Sequence, residues 1–329
     1  MSKPGRLCPL HYRYSPSVFS SAAQLHADTV LIAGGLYGNL AALDGLKRLL
    51  EPDTRLVFNG DFNWFNTSAD GFQTINEEAL AHTALRGNVE TELRHDDTCA
   101  QGSDADYDAG CGCAYPPDVE DALVERSNDI MLRLREIARG YPQLTSELKA
   151  LPMHLVAQVG DVRIAIVHGD AHSLSGWDFG HDSLHASENA ASLTRLFSQA
   201  QVDVFASSHT CLPALRKLRT PEGEYAIINN GAAGMPNFAG THYGIATRIS
   251  IYPCPPTVRL YGTRIGNVFV DAVKLHYDHI HFVDQFLSDW ACGSPGYASY
   301  FSRIIDGPAF SPEMALGVLP GQHIRRRAG

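Results

Sequence analysis

Five apolar, β-branched runs in this chain each end in a polar or glycine-rich tip, and this repetition constrains the fold more than any other feature. The tips read Gly34-Gly35-Leu36-Tyr37-Gly38-Asn39, Asn59-Gly60-Asp61, Arg86-Gly87-Asn88-Val89-Glu90, His168-Gly169-Asp170 and Ser207-Ser208-His209-Thr210-Cys211. A sixth, Asn229-Asn230-Gly231-Ala232-Ala233-Gly234-Met235-Pro236, follows a hairpin. Short continuous apolar runs bounded by turn residues are the mark of strands buried on both faces. The spacing predicts strands at 29–33, 55–58, 81–86, 155–158, 162–167, 202–206, 215–218, 224–228, 246–252 and 257–261. Helical periods fall between them. Asn39 to Leu50 puts Leu40, Leu43, Leu46, Leu49 and Leu50 on one stripe, and further helices are expected over 118–139 and 187–200. A Pro-punctuated arm is expected over 1–28, and a helical extension over 263–329 that ends in Arg325-Arg326-Arg327. Strands alternating with helices and then followed by hairpins give a mixed α/β fold, with its chemistry at the strand ends.

Composition removes several function classes. The chain has 329 residues with 44% apolar and 19% charged, which is too apolar and too weakly charged for a disordered or coiled-coil chain. Lys and Arg total 26 against 36 Asp and Glu, a formal net charge of −10, so no electrostatic footprint for nucleic acid or an anionic membrane is present. No run approaches the ~18 apolar residues of a membrane span, and the N-terminus lacks the apolar core of a secretion signal. Seven cysteines, an odd number without a secretion signal, do not read as a disulfide framework. A cytoplasmic protein with reduced cysteines is expected.

Asp61, Asn88, His168 and His209 each close a different strand. One carboxylate, one carboxamide and two imidazoles are suitable ligands for a divalent metal, and their mixed oxygen and nitrogen donors suit Mn, Zn or Fe(II) better than Ca. Taken alone, a Gly-Asp or Gly-Asn pair is a turn and a single histidine after a strand is a packed residue; the ordered set is what informs. That order resembles the calcineurin-like metallophosphoesterase superfamily, especially its small bacterial phosphodiesterase branch, with its pattern D-x-H-G-N, G-D, G-N-H-D/E, H-G, G-H-x-H and a closing N-P-G-S-like turn. The resemblance covers about residues 29–262. It implies a β-sandwich of two mixed sheets flanked by helices, with a metal site at the strand tips. It makes Asp61 the bridging carboxylate, Asn88 the amide ligand, and His168 and His209 the imidazoles of the second metal position. Asn230 and Gly231 fall on the glycine turn that closes the site on its substrate side.

The departures from the pattern cluster. Gly35 stands for the first Asp, Tyr37 for its partner His, Cys211 for the second His of G-H-x-H, and Ser208 for its Gly. Val89 replaces the His that family members often use as a general acid. Three losses fall on one metal position while the other keeps four ligands, so about one ion per chain is expected. Tyr37 and Cys211 are candidate phenolate and thiolate ligands for a softer additional ion; the alternative is that they pack in a vacated pocket. His172, four residues after His168, is a candidate replacement acid.

The segment 96–118, rich in Asp, Gly and Cys, reads as an insertion beside the metal cleft. His95, Cys99, Cys111 and Cys113 are a candidate Cys₃His zinc set, although the C-x₁₁-C-x-C spacing fits no standard zinc pattern. Two functions of different class follow from the resemblance. One is a metal-dependent hydrolase of small phosphate mono- or diesters, working best on esters with good leaving groups. The other is a non-catalytic metal-binding scaffold or interaction protein, as the phosphoesterase-fold subunit of the retromer coat illustrates.

Overall fold

A computed structural model describes residues 3–93 and 109–318. Its strands in chain order are β1 (Leu25–His26), β2 (Thr29–Ala33), β3 (Thr54–Asn59), β4 (Thr83–Leu85), β5 (His154–Val159), β6 (Val162–Val167), β7 (Val204–Ser207), β8 (Pro213–Thr220), β9 (Gly223–Asn230), β10 (Gly244–Ser250), β11 (Arg259–Ile265) and β12 (Val268–Leu275). The helices are α1 (Leu40–Leu49), α2 (Ala69–Leu80), α3 (Asn88–Glu92), α4 (Asp121–Ala138), α5 (Pro142–Ala150), α6 (His181–His185), α7 (Ala190–Ala200), α8 (His279–Asp289), α9 (Pro295–Asp306) and α10 (Pro312–Ala315).

The strands form two mixed six-stranded sheets, in the orders β11-β12-β10-β2-β3-β4 and β1-β5-β6-β7-β9-β8. The period of two along each strand explains the sandwich. Val30 and Ile32 of β2 face Ile164, Ile166, Val204 and Ile228 of the opposite sheet in one interior cluster. Leu31 and Ala33, the alternate residues, face outward against Leu43 and Leu46 of α1 and Phe72 and Ile75 of α2. On the far side, Val167 and Phe205 pack against Leu193, Leu196 and Phe197 of α7. Each sheet contains a parallel triplet, β2-β3-β4 and β6-β7-β9. Parallel strands share one direction, so their C-terminal tips gather at one edge, where ligand sites of open α/β sheets form.

Two expectations about the ends of the chain change. The segment after 262 continues as sheet, because β11 and β12 pair antiparallel through Gly266, whose φ of +53° suits a tight hairpin. The helical extension begins at α8. The N-terminal segment is built into the fold, since β1 adds a parallel edge strand to β5 and the Tyr14 hydroxyl donates to the Asp170 carbonyl. Helices α2 and α5 were not anticipated from the sequence. No helix among the described residues is long and apolar enough to cross a membrane.

The C-terminal helices are docked onto the loops that follow β2 and β3. Trp290 is fully buried and its indole N–H donates to the Phe65 carbonyl at 3.0 Å. Trp290→Ala removes a large buried ring and orphans that carbonyl, so a loss of about 3–5 kcal/mol is expected. Urea unfolding of the variant measures it, and a midpoint equal to wild type would show that these helices dock by other means.

Candidate metal centre

His168 directly follows β6 and His209 lies two residues past β7, and the far nitrogen of each ring is engaged by a backbone carbonyl. His168 Nδ1 lies 2.8 Å from the Asn59 carbonyl, and His209 Nε2 lies 3.0 Å from the Cys113 carbonyl. A carbonyl only accepts, so both far nitrogens carry the proton and both near nitrogens present lone pairs. Those near atoms, His168 Nε2 and His209 Nδ1, are 3.2 Å apart. Asn88 Oδ1 stands 3.1 Å from His168 Nε2, and Asp61 Oδ2 stands 3.3 Å from it. The Asn88 Nδ2 group donates to the Cys111 carbonyl at 2.9 Å, which turns its oxygen toward the imidazoles. With the rings neutral, four acceptor atoms therefore converge on one point. Donors held about 2.0–2.2 Å from one ion sit close to this far apart. Among the described residues, Asp61, His168 and His209 form the one His/Cys/Asp/Glu group placed to hold a metal, and the donor chemistry fits a divalent ion of intermediate softness.

Convergence depends on close backbone approach. A Cβ on Gly87 would fall on Asp61 Oδ1 and lie 2.8 Å from His168 Cε1, so only glycine leaves room for the carboxylate and ring to meet. Asp61 itself has φ +57°, the left-handed region, which aims its side chain off the β3 tip. Glu90 holds that turn: its carboxylate accepts the backbone N–H groups of Asp61, Phe62 and Gly87, each at 2.8 Å. The sequence reading missed this residue, although it lies in the same tip as Asn88. Burial and the neighbouring Asp61 push the Glu90 carboxyl up to about 7, against those three hydrogen bonds. For Asp61, burial opposes ionisation, but His168, His209 and the Val89 N–H outweigh it and hold the carboxyl below its usual range. Burial and His168 push His209 down to about 4, keeping its lone pair free. Burial opposes the charge of His168 as well, yet Asp61 raises it. In the metal-free centre, a proton on His168 Nε2 is the cation that the cluster can take.

The described part of the 96–118 segment covers this centre. Cys113 supplies the carbonyl for His209 and also accepts the Trp177 indole N–H at 3.0 Å, while Ser175 Oγ donates to the Gly112 carbonyl. Trp64, Tyr115, Trp177 and Tyr300 close over Asp61, Asn88 and His209, leaving a cavity of about 40 Å³. His95 and Cys99 lie outside the described residues, so the four-residue zinc set is described only at Cys111 and Cys113, both buried beside Asn88.

Other candidates take different places. Tyr37 and Cys211 share the cavity wall, with Tyr37 Oη 2.8 Å from Cys211 Sγ. Burial pushes both groups up, so each favours its protonated form. His172 is exposed in its turn and lines no part of the cavity; its backbone N–H is bound to Asp170. Asn230 lies behind the site: its Nδ2 donates to the Gly34 and Ile245 carbonyls, tying the two sheets together. Gly231, at φ +71°, gives its N–H to Asn229 Oδ1. Neither Asn230 nor Gly231 reaches the cavity wall.

No protein-family model matches the chain, and no curated protein does. Solved structures do. A metallophosphoesterase from Sphaerobacter thermophilus is similar over 86% of this chain and 100% of its own, with a TM-score of 0.53 at 16% identity. A hypothetical protein from Pyrococcus horikoshii OT3 is similar over 86% of this chain and 99% of its own, with a TM-score of 0.54 at 13% identity. At these identities the likeness establishes the fold, which is that of the metallophosphoesterases, and leaves activity open.

Two expectations follow from the centre. Glu90→Ala would orphan three buried N–H groups, each worth about 1–3 kcal/mol. A loss of at least about 3 kcal/mol is expected in urea unfolding, and one below about 1 kcal/mol would remove Glu90 from its clamping role. Because an ion bound here would displace any proton on His168 Nε2, metal affinity should tighten by up to about tenfold per pH unit while His168 is protonated and level off once pH exceeds its raised value. Calorimetry in buffers of different ionisation enthalpy should report proton release on metal binding at and below the ordinary imidazole value, fading at higher pH. No proton release and a flat pH dependence would contradict it.

Proposed function

We propose that this chain is a metal-dependent hydrolase of phosphate mono- or diesters that uses one divalent ion held by Asp61, Asn88, His168 and His209. The observation that carries the reading is the convergence of four acceptor atoms whose tautomers are fixed by the Asn59 and Cys113 carbonyls. Buried polar atoms are costly unless paired, and here only a cation pairs them all. Such an ion, when held, withdraws charge from a phosphoryl oxygen and lowers the pKa of a water. The chain's own part is to hold the four donors, to aim Asp61 through Glu90, and to exclude bulk water through the aromatic cover.

The same geometry limits the substrate. Val89 is buried with its N–H on Asp61, and His172 stands outside the cavity. Neither can protonate a departing oxygen, so leaving groups that depart as anions are favoured: nitrophenyl phosphodiesters over alkyl phosphomonoesters. The cavity is also far below the ~300–1,000 Å³ of small-molecule sites, so hydrolysis requires the aromatic cover to open. That closure favours a second reading, a metal-binding scaffold without turnover.

Metal analysis and turnover on bis-nitrophenyl phosphate separate the two. The hydrolase reading expects about one Mn, Zn or Fe per chain and measurable turnover, with His209→Ala losing most of the metal and Tyr37→Phe keeping it. A full metal site with no turnover on any aryl ester would select the scaffold. Equal metal retention by both variants would sink the ligand assignment.

A further inference from the structure

Tyr37 and Cys211 present a directed hydrogen-bond chain on the wall of the cavity. Cys211 Sγ lies 3.3 Å from the His209 carbonyl, which can only accept, so the thiol is the donor there. The Tyr37 hydroxyl, 2.8 Å from the same sulfur, must then be the donor in its own contact. That hydroxyl has sulfur, a weak acceptor, as its partner. Little holds it there when a charged oxygen comes within reach.

The surroundings keep this wall free of a second ion. The Tyr37 ring lies over Gly35 so closely that a Cβ at residue 35 would sit 2.8 Å from both Cζ and Oη, which leaves no room for a carboxylate there. Arg303 of α9 donates from Nη2 to the Cys211 carbonyl at 2.5 Å and from Nε to the Pro236 carbonyl at 3.3 Å. A fixed guanidinium already stands against the Cys211 loop, and it repels a further divalent cation.

We propose that Tyr37 is a catalytic residue of a half-metal, half-protein centre: its hydroxyl turns from Cys211 Sγ to donate a hydrogen bond to a phosphoryl oxygen, taking the place of a second ion. The proposal rests on the hydrolase reading above and deepens it. Cys211 acts as a positioning residue that parks the hydroxyl when no substrate is present. No proton is transferred in this contact; the hydroxyl keeps its hydrogen and lends the phosphoryl group a dipole.

The test uses the full chain loaded with one equivalent of zinc and inorganic phosphate as the probe, with affinity measured by calorimetry and zinc by metal analysis. Tyr37→Phe should keep one zinc and bind phosphate about 10- to 100-fold more weakly, the range for a hydrogen bond to a charged group. Cys211→Ala removes the competing acceptor and should bind phosphate about two- to fivefold more tightly. A purely structural pair would instead weaken together, so equal losses in both variants would overturn the proposal. Unchanged phosphate affinity in Tyr37→Phe would overturn it too, leaving the hydrolase reading intact. Two ions per wild-type chain, with a cobalt-substituted thiolate band that Cys211→Ala abolishes, would place a metal where the proposal has none. If zinc-loaded wild type fails to bind phosphate, the hydrolase reading itself falls and this one with it.

Discussion

Three backbone carbonyls determine what the centre can be. The Asn59 carbonyl sets the tautomer of His168, the Cys113 carbonyl sets that of His209, and the Cys111 carbonyl turns the Asn88 amide. Each lies on the side of its partner away from the acceptor cluster. Outer partners of this kind fix ring orientation and raise ligand basicity. They also join distant parts of the chain. Asn59 closes β3, while Cys111 and Cys113 belong to the segment between α3 and α4. The cluster thus becomes a property of the whole fold, and a change in any of these loops alters which atoms are free to bind a cation.

Backbone strain collects at the same place. Among the described residues, five that are not glycine have positive φ, and three of them, Tyr37, Asp61 and Cys211, line the cavity. A fourth, Ala114, sits between Cys113 and Tyr115 in the cover. A left-handed residue other than glycine costs roughly 1–2 kcal/mol, and such residues persist where the surroundings over-determine them. Glu90 does this for Asp61 through three hydrogen bonds, and Arg303 fixes the carbonyl of Cys211. The strain coincides with the acceptor cluster and is absent from the sheet interiors, so it belongs to the site.

The two-sheet fold could be read from the sequence because a period of two and a glycine-rich tip are local signals. The convergence of Asp61, Asn88, His168 and His209 was legible for the same reason: each residue opens, or follows within two positions, the element that aims it. Glu90 was not, since a carboxylate that clamps backbone N–H groups looks like any helix-opening Glu. The Cys113 carbonyl was invisible because its role depends on backbone direction and owes nothing to its thiol. The end of β11 and all of β12 read as helix in the sequence because Val268, Phe269, Val270, Ala272, Val273 and Leu275 are apolar in a run that fits either period, whereas the start of β11 is legible as strand. His172 was expected near the cavity from its sequence proximity to His168, and Asn230 with Gly231 from the resemblance of their turn to the family's closing turn. A turn sends the first into solvent, and the sheet-to-sheet gap takes the second.

The centre is asymmetric in charge as well as in ligands. On one wall stand an ionised carboxylate, a carboxamide oxygen and two imidazole nitrogens, which together call for a cation. On the other stand a phenol and a thiol, both kept protonated by burial, beside a guanidinium supplied by the C-terminal helix. The side chains at 35, 37 and 211 and the presence of α9 together shape that wall. That wall offers no carboxylate or imidazole to a cation, and Arg303 adds positive charge beside it. The same helix carries Tyr300, which helps to close the cavity to about 40 Å³. One element thus links closure to electrostatics, since α9 carries both Tyr300 in the cavity cover and Arg303 on the Cys211 carbonyl.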